Sequence, residues 1–324
     1  MTRTDGTLPK VSVIIPVFNG EAYLREAIDS ALSQTYPRHE IIVVDDGSTD
    51  KTWALIESFG SVVRGIRKEN GGVASALNCG IQQASGDYIA WLSHDDVFLS
   101  NKLERQVEFL LEAPHFKASY TDYYVIDGAG KILGEVKTPW YPRVGAIRAL
   151  FAGVYINGST MLIERSCFDE VGLFSEKLRY AQDIEMWLRL LQRFEIGRVS
   201  EKLGKQRSHA AQGSRNARIH TEETQAMFEE SFERLGVVGI FPEYGESAHV
   251  PQTVARVYTW FADTMAFHRA WYSFAEKQYN RAIEIDPSWH NPARLKKTLN
   301  PMWRILRMAY RRLRRSLSEM VHTG

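Results

Sequence analysis

Over its first hundred residues the chain alternates short apolar runs with stretches in which apolar residues recur every three or four positions. Val11–Val17 (VSVIIPV) is rich in β-branched residues and almost continuously hydrophobic, the pattern of a strand covered on both faces. Residues 21–34 place Tyr23, Leu24, Ala27, Ile28, Ala31 and Leu32 at helical spacing, and Pro37 ends that helix. The alternation continues with strands over 40–44 and 62–66, helices over 51–59 and 74–84, and a strand over 88–92. Polar turns punctuate it at Asp45-Asp46-Gly47-Ser48-Thr49-Asp50, Asn70-Gly71-Gly72 and Ser85-Gly86-Asp87. This order predicts an α/β domain with a largely parallel sheet flanked by helices. Such sheets bind ligands beyond the carboxyl ends of their strands.

After about Asn216 the pattern changes to long, mixed helices. Residues 221–235 and 253–280 carry Phe228, Phe232, Tyr258, Trp260, Phe261, Phe267, Trp271, Tyr272 and Phe274, which predicts a helical subdomain over 216–292 with an aromatic core. Residues 275–287 resemble the second helix of a tetratricopeptide repeat, but one copy makes no array. Between 293 and 315 stand nine basic residues and no acidic one, interleaved with Met302, Trp303, Ile305, Leu306 and Met308. The tail, 293–324, is thus a basic amphipathic segment, suited either to an anionic membrane surface or to docking on the catalytic domain.

Composition narrows the class. In 324 residues, 44% hydrophobic and 24% charged, the balance is that of a soluble globular enzyme. Forty basic residues against thirty-nine acidic leave a net charge of +1, so no nucleic-acid partner is expected. Cys79 and Cys167 are too few for a disulfide framework or a four-ligand zinc site. No apolar run reaches the roughly 20 residues of a membrane span, and the first ten residues lack the apolar centre of a secretory signal. A cytoplasmic location is expected, with peripheral contact at the inner membrane face if the tail binds lipid.

Two strands end in paired aspartates, Asp45-Asp46 and Asp95-Asp96. For the first pair, turn chemistry and helix capping account for one carboxylate. The second, beside it, is a candidate to accept hydrogen bonds from a base N–H or a ribose hydroxyl. The other pair suits a hard divalent cation, Mn²⁺ or Mg²⁺, whose open positions take phosphate oxygens; a solvated helix N-terminus is the alternative.

The run VSVIIPVFNGEAYLREAIDSALSQTYPRHEIIVVDDGSTDKT, followed by NGGVASALNCGI and GDYIAWLSHDD, resembles the family 2 glycosyltransferases of GT-A fold. The resemblance spans residues 9–215. It implies a Rossmann-like mixed, largely parallel sheet, here with a C-terminal helical extension. It places Pro16, Phe18, Asn19, Glu21, Asp45 and Asp46 around a nucleotide, with Gly72 and Asn78 on the segment beside it. Asp95-Asp96 becomes the family's ribose- and metal-binding pair, with Asp95 towards the ribose and Asp96 on the metal. Many relatives read Asp-x-Asp-Asp where this chain has Ser93-His94-Asp95-Asp96, so one acidic contact is missing, and His94 is expected to be a bystander.

An inverting sugar transfer needs a general base to take the acceptor hydroxyl proton. The family's "ED" pair corresponds here to Gln182-Asp183, which makes Asp183 the expected base, with Glu185 as the fallback. Asp183 also opens an amphipathic helix, where capping is its ordinary role. Upstream, residues 158–163 resemble the strand beneath the acceptor site, and Asn157 and Ser159 are candidate sugar contacts. Lys205-Gln206-Arg207-Ser208-His209 resembles the family's late "YRxH" segment, which implies His209 on metal or pyrophosphate and Arg207 facing the diphosphate. No Gln-x-x-Arg-Trp motif follows the base, which favours a single addition over polymer synthesis. The expected donor is a nucleotide-diphosphate sugar, and the expected acceptor a glycan or lipid-linked glycan of cell-envelope assembly. Two other classes compete: a non-catalytic nucleotide-sugar binder, and a phosphohydrolase built on Asp45-Asp46, whose Asp-x-Asp-Gly-Thr signature the chain lacks.

Overall fold

The computed structural model describes residues 7–210, 212, 217–266, 271–288, 291–294, 296 and 297. Its strands are β1 (Val11–Val17), β2 (His39–Asp45), β3 (Arg64–Arg67), β4 (Tyr88–Trp91), β5 (Val97–Phe98), β6 (Phe116–Ile126), β7 (Ile132–Val136), β8 (Leu162–Glu164) and β9 (Glu195–Arg207). The helices are α1 (Leu24–Leu32), α2 (Thr52–Glu57), α3 (Val73–Gln83), α4 (Lys102–Glu112), α5 (Arg143–Phe151), α6 (Cys167–Val171), α7 (Gln182–Arg193), α8 (Ala217–Ile240), α9 (Pro251–Met265) and α10 (Tyr272–Ile285).

One nine-stranded sheet runs β3-β2-β1-β4-β8-β6-β9-β5, with β7 paired to β6. The first four strands are parallel, as the continuous apolar runs of β1, β2 and β4 predict, while β3 (Arg-Gly-Ile-Arg) is a largely exposed edge strand. β8 then pairs antiparallel with both β4 and β6, and β6 resumes parallel pairing with β9. The sheet is therefore mixed, two parallel blocks joined through a three-residue strand. Every residue of β1 is buried. Val11, Val13, Ile15 and Val17 pack with Leu24, Ile28, Leu103 and Val107 of α1 and α4, while Ile42 and Val44 of β2 pack on Ala76 of α3. The order reverses at β1, which lies between β2 and β4, so a crevice opens between the carboxyl ends of β1 and β4.

Three expectations change. The third strand starts at Arg64 rather than residue 62, because Gly60–Val62 forms a single 3₁₀ turn. Residues 253–280 are not one helix but fall into α9 and α10. The described residues form two compact units, one comprising the chain up to Leu150 with Val154–Met227, the other Phe151–Gly153 and the described residues from Phe228 onward. The division thus falls inside α8, after Met227, rather than at 215.

In the second unit the aromatic residues make a core: Phe232 stacks on Phe261 with centroids 4.2 Å apart, and Phe151 meets Phe228, Trp260 and Phe261. Phe267 lies outside the described residues, as does most of the basic tail; of its nine cations only Arg294, Lys296 and Lys297 are described. No described helix is long and apolar enough to cross a membrane. Both cysteines are free thiols.

Candidate active site

A cavity of about 640 Å³ occupies the crevice beyond β1, β2 and β4. Its walls come from the end of β1 (Pro16, Phe18), the residue after β2 (Asp46) and the start of α3 (Asn70, Gly72, Val73, Ala76). Further walls are the β4 exit (Trp91, Ser93, His94, Asp95, Asp96), the turn before β8 (Tyr155, Asn157, Gly158), the approach to α7 (Arg179, Tyr180, Gln182, Asp183) and Gln206 at the end of β9. Pro16, Phe18, Asp46, Gly72, Asp95, Asp96 and Asp183 are thus gathered around one space, although up to 167 positions separate them in the chain (Asp183 minus Pro16).

Asp46 lines the cavity with its carboxylate already held. Oδ1 accepts from Lys68 Nζ at 2.7 Å and from the Gly71 N–H at 3.0 Å, and Oδ2 accepts from the Gly72 N–H at 2.7 Å. Gly72 has φ +89°, a left-handed backbone that suits glycine. The carboxylate thereby pins the 68–72 segment against the end of β2.

Asp45 is fully buried and does not line the cavity. Its Oδ1 accepts from the Ser48 N–H at 2.9 Å and its Oδ2 faces Arg67 Nε at 3.3 Å, so it organises the turn. Asn19 and Glu21 also lie off the cavity. Asn19, at φ +50°, accepts the Thr49 N–H on Oδ1 while its own N–H donates to Ser48. The Glu21 N–H donates to Asp50. These residues stitch the β1 exit to the β2 exit and so hold Phe18 at the mouth. Asn78 is likewise spent on structure, bonding the Phe174 N–H, the Phe174 carbonyl and Glu176.

Asp96 is buried, and nothing beside it carries a full positive charge within its hydrogen bonds. Oδ2 accepts from Ser159 Oγ at 2.7 Å and Oδ1 from the Arg207 backbone N–H at 2.9 Å. Burial, then the neighbouring Asp95 carboxylate, push its carboxyl up to about 8. Asp95 faces His209, whose Nε2 lies 3.0 Å from Oδ2 and whose ring packs 4.9 Å from that of Tyr23. His209 is therefore linked to the cavity through Asp95 and does not itself line it. Among the described residues no three His, Cys, Asp or Glu side chains converge as a metal site.

The expected role of Arg207 is corrected. Its guanidinium is buried and points away from the cavity, donating to the carbonyls of Asp95, Asp127 and Gly128, pairing with Glu26 and lying over the Tyr23 ring. The reason is strand alternation: at the end of β9 Gln206 lines the cavity, so the next side chain faces the other way. The arginine that does line the cavity is Arg179, on the approach to α7. No hydrogen bond or ion pair holds its side chain among the described residues. His94, expected to be a bystander, also lines the cavity, and burial pulls its imidazole down.

Asp183 stands in the first turn of α7. Its Oδ2 accepts from the Tyr155 hydroxyl at 2.8 Å and its Oδ1 from the Ile184 N–H at 2.8 Å. Burial pushes its carboxyl up to about 6 against the pull of those two bonds and of its own backbone N–H. Glu185 does not line the cavity; it is bound by Arg189 at 2.7 Å. Glu223 of α8 accepts the N–H groups of Arg179, Tyr180 and Ala181 at 2.8, 2.6 and 2.8 Å, fixing the approach to α7. On the opposite wall, Gly158 lets the backbone lie against Trp91, where a Cβ would meet the indole at 2.3 Å. Ser159 follows and reaches Asp96, while Asn157 caps the same turn by accepting the Ser159 N–H at 2.8 Å. Beneath it lies a fully buried Lys102, which bonds Gln106 at 2.7 Å and which burial brings down to about 7.

Comparison with known proteins agrees with this architecture. The family model for glycosyl transferase family 2 matches residues 12–171. An uncharacterized glycosyltransferase of Rickettsia prowazekii, RP339, is 42% identical over 231 residues, covering 70% of this chain and 73% of that protein. The chain belongs to glycosyltransferase family 2. TuaG of Bacillus subtilis, named as a glycosyltransferase of teichuronic acid biosynthesis, is 31% identical to this glycosyltransferase over 57% of the chain and 73% of its own. Among solved structures, residues 1–349 of S. aureus TarS, crystallised with UDP-GlcNAc, share the fold with a TM-score of 0.61 at 18% identity. That match covers 94% of this chain and 92% of TarS 1–349, and the fold is of the GT-A type.

Proposed function

We propose that this glycosyltransferase moves a single hexosyl residue, with inversion, from a nucleotide-diphosphate sugar to a hydroxyl of a cell-envelope or polysaccharide acceptor. The observation that carries the reading is the position of Asp183, which shares one cavity with Asp46, Asp95 and Asp96. A donor lying in this cavity has its nucleoside towards Phe18 and Asp46 and its diphosphate near Asp95 and Asp96. Asp183 takes the proton from the acceptor oxygen as that oxygen attacks the anomeric carbon. The bond from that carbon to the diphosphate breaks, and the nucleoside diphosphate leaves with the electron pair. Attack on the face opposite the leaving group inverts the anomeric centre.

The Asp95 and Asp96 carboxylates fit a divalent cation: they are hard oxygen donors, side by side, with no lysine or arginine side chain bonded to either among the described residues. Two protein groups do not complete a coordination shell, so phosphate oxygens would supply the rest. When bound, Mn²⁺ or Mg²⁺ offsets charge building on the leaving diphosphate. Arg179 takes the place expected of Arg207, its guanidinium meeting diphosphate oxygens. TarS, with UDP-GlcNAc, and TuaG, with its teichuronic acid name, support a nucleotide-sugar donor and an envelope polysaccharide product. With the basic tail, peripheral contact with an anionic membrane bearing a lipid-linked acceptor extends the same reading.

Asp183→Asn tests it. UDP release from UDP-GlcNAc with Mn²⁺ should fall at least a hundredfold while UDP-GlcNAc still raises the melting temperature; undiminished turnover would overturn the assignment. In the wild type, activity should fall as pH drops through about 6, where Asp183 gains its proton. The folded protein holds that proton more tightly than the unfolded chain, so stability is lost as pH rises from about 4 to about 6. Asp183→Asn removes the buried charge and should therefore stabilise the protein at pH 7, by up to roughly 3 kcal/mol. For Arg179→Ala the expected result is a tenfold rise in donor KM with an unchanged melting temperature.

A further inference from the structure

Tyr155 belongs to none of the motifs, yet it touches the base. It precedes the 3₁₀ turn of Gly158–Thr160, lines the cavity, and keeps 43% of its surface exposed. Its hydroxyl is turned inward and donates to Asp183 Oδ2 at 2.8 Å. With the Ile184 N–H on Oδ1, each carboxylate oxygen has a fixed donor, and the residue lines the cavity. We propose that Tyr155 is the positioning residue of the base: its hydroxyl orients the Asp183 carboxylate towards the acceptor oxygen and offsets the cost of holding that charge in a buried site. This inference rests on Asp183 being the base.

The surroundings support the role. The groups facing this pair are Tyr123 of β6 and Asp96, both acting on Tyr155. Arg179, Tyr180 and His94 line the same cavity. Glu185, on the same helix, is held by Arg189, and Glu223 is held by the amides before α7. None of them hydrogen-bonds Asp183 among the described residues, so Tyr155 is its side-chain donor. Burial and the adjacent Asp183 push the tyrosine hydroxyl well above its ordinary range, so it is a donor at neutral pH. A hydrogen bond to the charged form favours that form.

The test is carboxyl ¹³C NMR of the full chain labelled at aspartate, with Asp183→Asn identifying the signal. In Tyr155→Phe the ring and its packing are retained and only the bond is lost. The Asp183 midpoint should then rise by about one pH unit, the size expected for one charge-assisted hydrogen bond. An unchanged midpoint in a variant with the wild-type melting temperature overturns the proposal. Tyr155→Gln, which keeps a donor, covers the case in which Tyr155→Phe does not fold: its midpoint should stay within half a unit of wild type, and a rise as large as one unit would overturn the proposal. The pH dependence of UDP release from UDP-GlcNAc with Mn²⁺ separates the two readings. If the NMR midpoint moves and the acid limb of the rate does not, Asp183 is not the base; if Asp183→Asn is inactive and the midpoint stays, only the role of Tyr155 fails.

Discussion

Two aspartate pairs stand at the ends of two parallel strands, and their surroundings differ in one respect. The Asp45-Asp46 pair is neutralised by the protein itself: Arg67 faces one carboxylate, Lys68 the other, and three backbone N–H groups complete the set. The Asp95-Asp96 pair has His209 on Asp95, a serine and a backbone N–H on Asp96, and no lysine or arginine side chain bonded to either carboxylate among the described residues. Arg207 spends its guanidinium on the carbonyls of Asp95, Asp127 and Gly128 and on Glu26. A dipeptide in the same topological place therefore serves as wall and hinge in one case. In the other it lines the cavity with no lysine or arginine bonded to it among the described residues. Sequence motif and strand position are shared; the difference lies in which cations the fold brings up beside them.

Substitution at each pair should sharpen the contrast. The largest effect is expected from Asp96→Asn, which should lower UDP release from UDP-GlcNAc by about a thousandfold and abolish the stabilisation that Mn²⁺ adds in the presence of donor, with no loss of melting temperature. Asp45→Asn should do the reverse. Its carboxylate is fully buried against Arg67, so urea unfolding should show a loss of about 2 kcal/mol while kcat stays within a few-fold. The smallest effect is expected from Lys68→Met, which leaves Asp46 with backbone donors alone. About 1 kcal/mol of stability should go, and donor KM should rise a few-fold as the 68–72 segment loosens. Comparable losses of kcat in Asp45→Asn and Asp96→Asn would erase the distinction.

β1, β2 and β4 were legible because a doubly covered parallel strand leaves a continuous apolar run and its turns are marked by glycine and aspartate. Part of the candidate site was legible through the family resemblance: Pro16, Phe18, Asp46, Gly72, Asp95, Asp96 and Asp183 line one cavity. What escaped was the facing of side chains. Arg207 and Gln206 are neighbours on β9, and nothing in a local pattern of alternating polar residues says which of them looks inward. Asp45 and Asp46 pose the same difficulty at the end of β2. Tyr155 and Arg179 sit in segments without periodicity, so only tertiary structure connects them to the site. β6, β7 and β9 carry mixed polar and apolar residues, and β5 has two residues, too few to leave a pattern.

The join made by β8 has a consequence for how this molecule is born. Three residues, Leu162 to Glu164, cover the open side of β4 and at the same moment attach it to β6. A nascent chain that has emerged only as far as residue 160 carries β1 to β4 with the backbone of Tyr88, Ile89 and Ala90 unpaired along one margin, a ready template for another chain.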